Sequence, residues 1–299
     1  MTTSTMARSQ GQGETSARSP KEPAAQLHSI ATYVDGDPTS KHRLDVAADL
    51  ARQHDAHLTV VAFGYDPNIP PYAFGNGAGA AMAELVDQAR NASAEHAKVA
   101  NEYIAKAGLL GEAIPRVCTY ASVASSFAEM VRYADAVVVG RPYGERVPSV
   151  AVDILEGALF GGDAAVIVCP EGVSGIAPET VLIGWDGSRE ALRAVRRSMV
   201  FLLAATSVEI AVFDPSPQES GPGESLATML SRYGVNASVA TYPRPGDSIA
   251  GALGRRATEL GAGLLVIGAY SHSRFREAVI GGVTVETLKN TQVPVLMAH

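Results

Sequence analysis

Two features of this sequence are best suited to chemistry: a carboxylate closing one apolar run and a glycine-rich turn closing another. Asp186-Gly187 follows the run Val181 to Trp185. Gly268 opens the stretch Gly268-Ala269-Tyr270-Ser271-His272-Ser273-Arg274-Phe275-Arg276-Glu277-Ala278-Val279-Ile280-Gly281-Gly282-Val283-Thr284. Glycine lets backbone N–H groups approach an anion closely, and the start of a helix offers free N–H donors at a positive dipole end. Thr284 adds a hydroxyl, and Arg274 and Arg276 add charge. Such a segment is suited to cradling a phosphate. Glycines at a strand-to-helix turn also serve purely structural ends, and from this loop alone both readings stand.

The elements that must hold these residues repeat along the chain. Leu27 to Val34 followed by Asp35-Gly36 answers Val181 to Trp185 followed by Asp186-Gly187. Leu58–Phe63 answers Val208–Phe213, and Val117-Cys118-Thr119-Tyr120 answers Val239-Ala240-Thr241-Tyr242. Ala136–Gly140 answers Leu264–Gly268, and Ala165–Val168 answers Val293–Leu296. Between the first two strands of the second pass, Ala191, Ala194, Val195, Ser198 and Leu202 keep the spacing of one buried helix face. The strands read as continuous apolar runs, which predicts sheets covered on both faces. Strands alternating with helices predict βαβ crossovers and a parallel sheet. The expectation is an α/β protein of two tandem five-stranded open sheets, each unit folding around its own core. The units span residues 27–170 and 179–299, joined by a Gly- and Pro-rich linker at 171–178. In such sheets ligands bind beyond the carboxyl ends of the strands, near the point where strand order reverses.

Composition narrows the field. The chain has 299 residues and a net charge of −7, with no basic stripe of the kind nucleic-acid binding needs. The longest mostly apolar stretch, Met199–Phe213, carries Thr206, Ser207 and Glu209 and is too short and polar to span a bilayer. Residues 1–26 are rich in Ser, Thr, Gln, Gly, Arg and Pro and lack the apolar core of a signal peptide. They read as a disordered tail, and a cytoplasmic location is expected. Two cysteines, Cys118 and Cys169, make no disulfide framework.

The order of elements, the Asp after strand one and the loop after strand four together resemble the universal stress protein family, over both passes. Its ATP-binding members carry Gly-x2-Gly-x9-Gly-(Ser/Thr) at this loop. Gly268 and Gly281 match at the right spacing, whereas Ser271 stands in place of the second Gly and Gly282 in place of Ser or Thr. The resemblance implies a strand order 3-2-1-4-5 and an adenine nucleotide, ATP with Mg2+ accompanying it, bound in the second domain. Asp186 would face adenine or ribose, and the backbone around Phe213 would line the base pocket. Gly268, Ser271, Gly281, Gly282, Val283 and Thr284 would surround the phosphates. In the first domain Asp153 and Ile154 stand where Gly281 and Gly282 do, and Arg141-Pro142-Tyr143 stiffens the loop, so no ATP is expected there. The resemblance also implies that the fifth strands pack together across a pseudo-twofold axis, pairing the two domains within the chain; a homodimer is a further possibility. By this strand order Cys118 and Cys169 lie on opposite sheet edges, so two free thiols are expected. The function implied is a non-enzymatic stress-response protein. A slow nucleotide hydrolase and a ligand-free scaffold are the alternatives.

Other signals are weaker. Gly246-Asp247-Ser248-Ile249 resembles a serine-esterase nucleophile block, but a helix cap at Asp247 or Ser248 is the simpler reading. His54 and His57 have a spacing that metal sites use, though no Cys or carboxylate block accompanies them. His42 falls with them at a solvated helix end, His272 and His299 are single residues, His272 fitting a place near the phosphate loop or the surface equally, and Trp185 reads as core. There is no Gly-x4-Gly-Lys-(Ser/Thr) loop.

Overall fold

The computed structural model describes residues 26–67, 78–144, 147, 149–162, 164–215, 221–269 and 282–299. Its first half runs β1 (Ser29–Val34), α1 (Ser40–His54), β2 (His57–Asp66), α2 (Ala78–Lys106), β3 (Gly111–Thr119), α3 (Val123–Val131), β4 (Ala136–Gly140), α4 (Ala151–Gly161) and β5 (Ala165–Cys169). The second half opens with β6 (Thr180–Gly184), α5 (Arg189–Arg197), α6 (Met199–Ala204), β7 (Ser207–Phe213) and α7 (Glu224–Arg232). It continues through β8 (Ala237–Tyr242), α8 (Ile249–Leu260), β9 (Leu264–Gly268), α9 (Gly282–Asn290) and β10 (Val295–Ala298).

All ten strands form one sheet in the order β3-β2-β1-β4-β5-β10-β9-β6-β7-β8. Each half is parallel and has the expected order 3-2-1-4-5, so the sequence of strands reads the same from either end. The halves meet where β5 and β10 pair antiparallel, with Val295 opposite Val168, Leu296 opposite Ile167 and Met297 opposite Val166. The last strand of each half is therefore an edge of its own five-stranded set and an interior strand of the whole. The expected second-half strand at Val293–Leu296 is displaced to Val295–Ala298. Pro294 lies just before it, where its missing N–H breaks no ladder bond, and its carbonyl accepts from the Leu265 N–H at 2.9 Å.

This junction changes where the core lies. Instead of one core per half, a single apolar layer covers each sheet face and runs across both halves. Ile30, Ile167, Leu296 and Ile183 belong to one layer, and Val137, Val166, Met297 and Leu265 to the other. The strands nearest the centre are buried on both faces, as their apolar runs demand. The outermost strands β3 and β8 are not; their residues are mostly half-buried or exposed, because only one strand neighbours them. Cys118 in β3 and Cys169 at the end of β5 are both buried and free.

The expected helix face after β6 is observed, with Ala191, Ala194, Val195, Ser198 and Leu202 all buried, but the helix breaks at Ser198 into α5 and α6. The Ser198 hydroxyl donates to the Val195 carbonyl at 2.9 Å, a side-chain bond of the kind that competes with helix propagation. On the other face the halves differ. Gly157 and Gly161 let α4 press against α3: a Cβ at Gly157 would stand 2.4 Å from the Ala124 carbonyl oxygen, and one at Gly161 2.1 Å from the Ala128 Cβ. Beyond its first residue α9 has no glycine. No described helix is long and apolar enough to cross a membrane.

Candidate functional site

The carboxyl ends of β7, β6 and β9 lie side by side in the second half, and β6 is where strand order reverses. Asp186 follows β6 and is exposed. Its Oδ1 accepts the Ser188 N–H at 2.9 Å. Ser188 in turn caps α5, its hydroxyl accepting the Ala191 N–H at 3.1 Å, so the turn holding the carboxylate is fixed by the helix behind it. Phe213 ends β7 with its ring stacked on Tyr242, centroids 4.9 Å apart and planes at 21°. Gly268 ends β9 directly beneath the start of α5; a Cβ there would fall 2.5 Å from the Ala191 nitrogen. Packing alone therefore demands a glycine at this position, which is the structural reading of that residue.

At the start of α9, Gly282 and Val283 are on the surface and Thr284 is turned inward, 7% exposed. A Cβ added at Gly282 would meet nothing within 4 Å among the described residues. Ser271, Gly281, Arg274, Arg276 and His272 lie outside the described residues. The structure thus brings Asp186, Phe213 and Gly268 to one end of the sheet.

The same place in the first half is filled by protein. Asp35, the counterpart of Asp186, is buried and accepts hydrogen bonds from the Ser40 hydroxyl (3.0 Å), the Arg43 guanidinium (3.0 Å) and the Tyr65 hydroxyl (2.9 Å). Arg43 Nη2 also donates to Asp37 at 2.5 Å, and the guanidinium lies 3.8 Å from the Tyr33 ring centroid. The arginine side chain is 1% exposed. Its Cδ lies 3.3 Å from where a Gly140 Cβ would stand, so it passes directly beside the end of β4. Burial, together with a hydrogen bond shared with Asp37, raises the Asp35 carboxyl to about 6. Burial works against charge on Asp37 too, but its hydrogen bonds with Asp35, Arg43 and Thr39 outweigh it and hold that carboxyl below the usual range. Asp153 is exposed in the first turn of α4, and Ile154 is fully buried in the core.

Sequence reasoning missed this arginine. A signal was present: Arg43 lies three, four and seven residues before Val46, Ala47 and Leu50, all fully buried, which places a cation on the inward face of α1. Arg141, read as a loop stiffener, does something else. It reaches the other half and donates to the carbonyls of Thr291 (2.6 Å) and Lys289 (3.5 Å) at the C-terminal end of α9.

The weaker signals resolve as packing and capping. Ser248 caps α8 by accepting the Gly251 N–H at 3.0 Å and donates to Glu286 at 2.5 Å, while Asp247 pairs with Arg255. His42 bonds the Val173 carbonyl at 2.7 Å, and His54 packs edge-on to Phe201. His299 lies against Phe160 with centroids 4.7 Å apart. Among the described residues no group of three or more His, Cys, Asp or Glu is placed to hold a metal.

Solved structures share this architecture. A universal stress protein from Archaeoglobus fulgidus DSM 4304 is similar with a TM-score of 0.66 at 14% identity, over 90% of this chain and 95% of that one. A functionally unknown protein from Pseudomonas aeruginosa PAO1 is similar with a TM-score of 0.57 at 14% identity, over 90% and 92% of the two chains. No protein-family model and no curated protein matches the sequence. The fold is therefore the universal stress protein fold in tandem.

Proposed function

We propose that this chain is a non-catalytic stress-response protein that takes one adenine nucleotide, ATP, as a regulatory ligand in its second half. The observation that carries the reading is the contrast between the two aspartates. Asp35 is bonded by Ser40, Arg43 and Tyr65 and covered by Arg43, whereas Asp186 is exposed and, among the described residues, accepts only the Ser188 N–H. A free carboxylate at a strand-order reversal is placed to accept ribose hydroxyls or an adenine amino group. The backbone after Phe213 would flank the base. Gly268 and Ser271 would open the phosphate loop. Gly281, Gly282, Val283 and Thr284 would close it with their N–H groups and the helix dipole. Gly282 carries no side chain to crowd a phosphate there. Mg2+ would be carried by the phosphates themselves, since the residues described supply no cluster for it.

Calorimetric titration with ATP tests this. Wild type is expected to bind one equivalent, and Asp186→Ala to bind about tenfold more weakly or worse, the size of a hydrogen bond to a charged group. Gly281→Asp would place a like charge and a Cβ at the helix start and is expected to abolish binding. No binding by wild type would favour the ligand-free scaffold. Sustained turnover of labelled ATP would favour the hydrolase.

A further inference from the structure

Helix α5 puts four arginines into nine residues, Arg189, Arg193, Arg196 and Arg197, all exposed, on a chain whose net charge is −7. Its buried side is Ala191, Ala194 and Val195. At about 100° per residue, Arg189, Arg193 and Arg196 fall within about 60° of one another, on the side opposite those three. The stripe is about 10.5 Å long at 1.5 Å per residue. Arg189, Arg193 and Arg196 form no ion pair among the described residues.

The stability of α5 does not call for this stripe. Arg189 opens the helix at the end where the dipole favours an anion. Arg193 stands four residues from both Arg189 and Arg197, and like charges at that spacing destabilise a helix. Other helix surfaces of this protein are balanced. On α1, the equivalent helix of the first half, Lys41 pairs with Asp45 and Arg52 with Asp49, and on α2 Arg90 pairs with Asp87. An arrangement that opposes the helix carrying it, without compensation among its neighbours, is characteristic of a functional surface.

We infer that the outer face of α5 is a docking surface for an acidic α-helix of another protein, whose carboxylates pair with Arg189, Arg193 and Arg196. A guanidinium fork matches a carboxylate in shape and charge. Carboxylates at i, i+3 or i+4, and i+7 of a facing helix cover the same two turns as the arginines. Charge alone also suits a nucleic acid or an anionic membrane, but the extent of the stripe does not. Non-specific nucleic-acid binding draws on about 6–10 phosphate contacts. Basic segments that hold anionic membranes gather about four to eight cations, and a helix lying in a membrane inserts an apolar face, whereas that of α5 is turned into the sheet. Asp186 takes no part in this contact, so the surface stands whether or not the nucleotide reading does.

The test uses the full chain and a rhodamine-labelled, alanine-based helical peptide with glutamates at i, i+4 and i+7. A second peptide of the same composition carries them at i, i+2 and i+5, spread around its helix. Fluorescence anisotropy at low ionic strength is expected to show binding of the first peptide, weakening as salt rises, and binding of the second weaker by about fivefold or more. Arg193→Gln is expected to weaken binding of the first by about two- to fivefold, the loss of one exposed ion pair. The triple variant Arg189→Gln, Arg193→Gln, Arg196→Gln is expected to weaken it by about tenfold or more. Glutamine is a good helix former and removes the like-charge pairs, so the triple variant is expected to melt at or above the wild-type temperature. No binding by wild type, equal affinity for the two peptides, or undiminished binding by the triple variant would overturn the docking surface. So would a lower melting temperature in the triple variant, since the arginines would then serve the helix itself. Tighter binding of a single-stranded oligothymidylate, or of phosphatidylcholine–phosphatidylserine vesicles, than of the first peptide would overturn the acidic helix as the partner.

Discussion

Replacing Arg43 by Met tests whether the first half is closed by a buried ion cluster or merely by packing. Met keeps most of the aliphatic length beside Gly140 and Tyr33 but removes the guanidinium. Two carboxylates would then share Ser40 without a cation, both at 3.0 Å from its hydroxyl. Removing one partner from a buried ion pair costs about 3–5 kcal/mol, a large share of the stability of an ordinary domain. The pH dependence follows from the carboxyl that is raised. Asp35 in the folded state sits at about 6, above the ordinary carboxylate value. The folded chain therefore holds the extra proton between about 4 and 6, so the Asp35 share of stability is present below about 4 and lost as pH rises through about 6, while the share of Asp37, held below the usual range, is lost as pH falls below about 4. One pKa unit corresponds to about 1.4 kcal/mol, so the fall in wild type is at most about 3 kcal/mol. Without Arg43 the carboxyls rise further, and the fall steepens and extends above pH 6. Urea unfolding followed by circular dichroism is therefore expected to show a larger loss for Arg43→Met at pH 7.5 than at pH 5. Adding Asp35→Asn and Asp37→Asn is expected to restore most of it. An equal loss at both pH values, or a loss under about 1 kcal/mol, would refute the ion-cluster account.

The helix contact and the junction between halves offer two further tests. Gly157→Val drives a side chain into the Ala124 carbonyl, where even a Cβ stands at 2.4 Å, and is expected to cost about 1–3 kcal/mol in urea unfolding through overpacking. Residues 179–299 expressed alone would expose β10, whose four residues are all buried in the full chain. Light scattering is expected to show self-association of that fragment through the bare edge, with the full chain free of it.

Strand positions were the most legible part of this sequence. Ala136–Gly140 and Leu264–Gly268 agree residue for residue with β4 and β9, because a central strand must be apolar throughout and its ends are cut by a glycine. Edges were harder. The expected third strand at Val117–Tyr120 catches only the end of β3, since Gly111 to Arg116 face partly to solvent and break the apolar run. The shift of β10 by two residues came from Val293, which is apolar yet lies outside the ladder. Two of the six residues expected around the phosphates, Ser271 and Gly281, fall outside the described residues. What no periodicity could give was contact between halves. Arg141 reads locally as a loop residue, and its partners, the carbonyls of Lys289 and Thr291, lie about 150 positions away.

The two halves share one topology but treat the same positions oppositely. On the C-terminal edge of the sheet the first half fills its place beside Asp35 with Arg43, while the second leaves Asp186 open. On the flank the first half interlocks α3 with α4 through Gly157 and Gly161, whereas α9 has no glycine beyond its first residue. In each comparison the first half is the closed one. The antiparallel β5–β10 ladder joins them into one sheet, and Arg141 extends that link to the C-terminal end of α9. Because α9 starts beside the proposed phosphate position and ends on Arg141, the first half contributes to the second by holding this helix in place. A duplicated fold divided in this way can place stability in one copy and an open site, with its cost in stability, in the other.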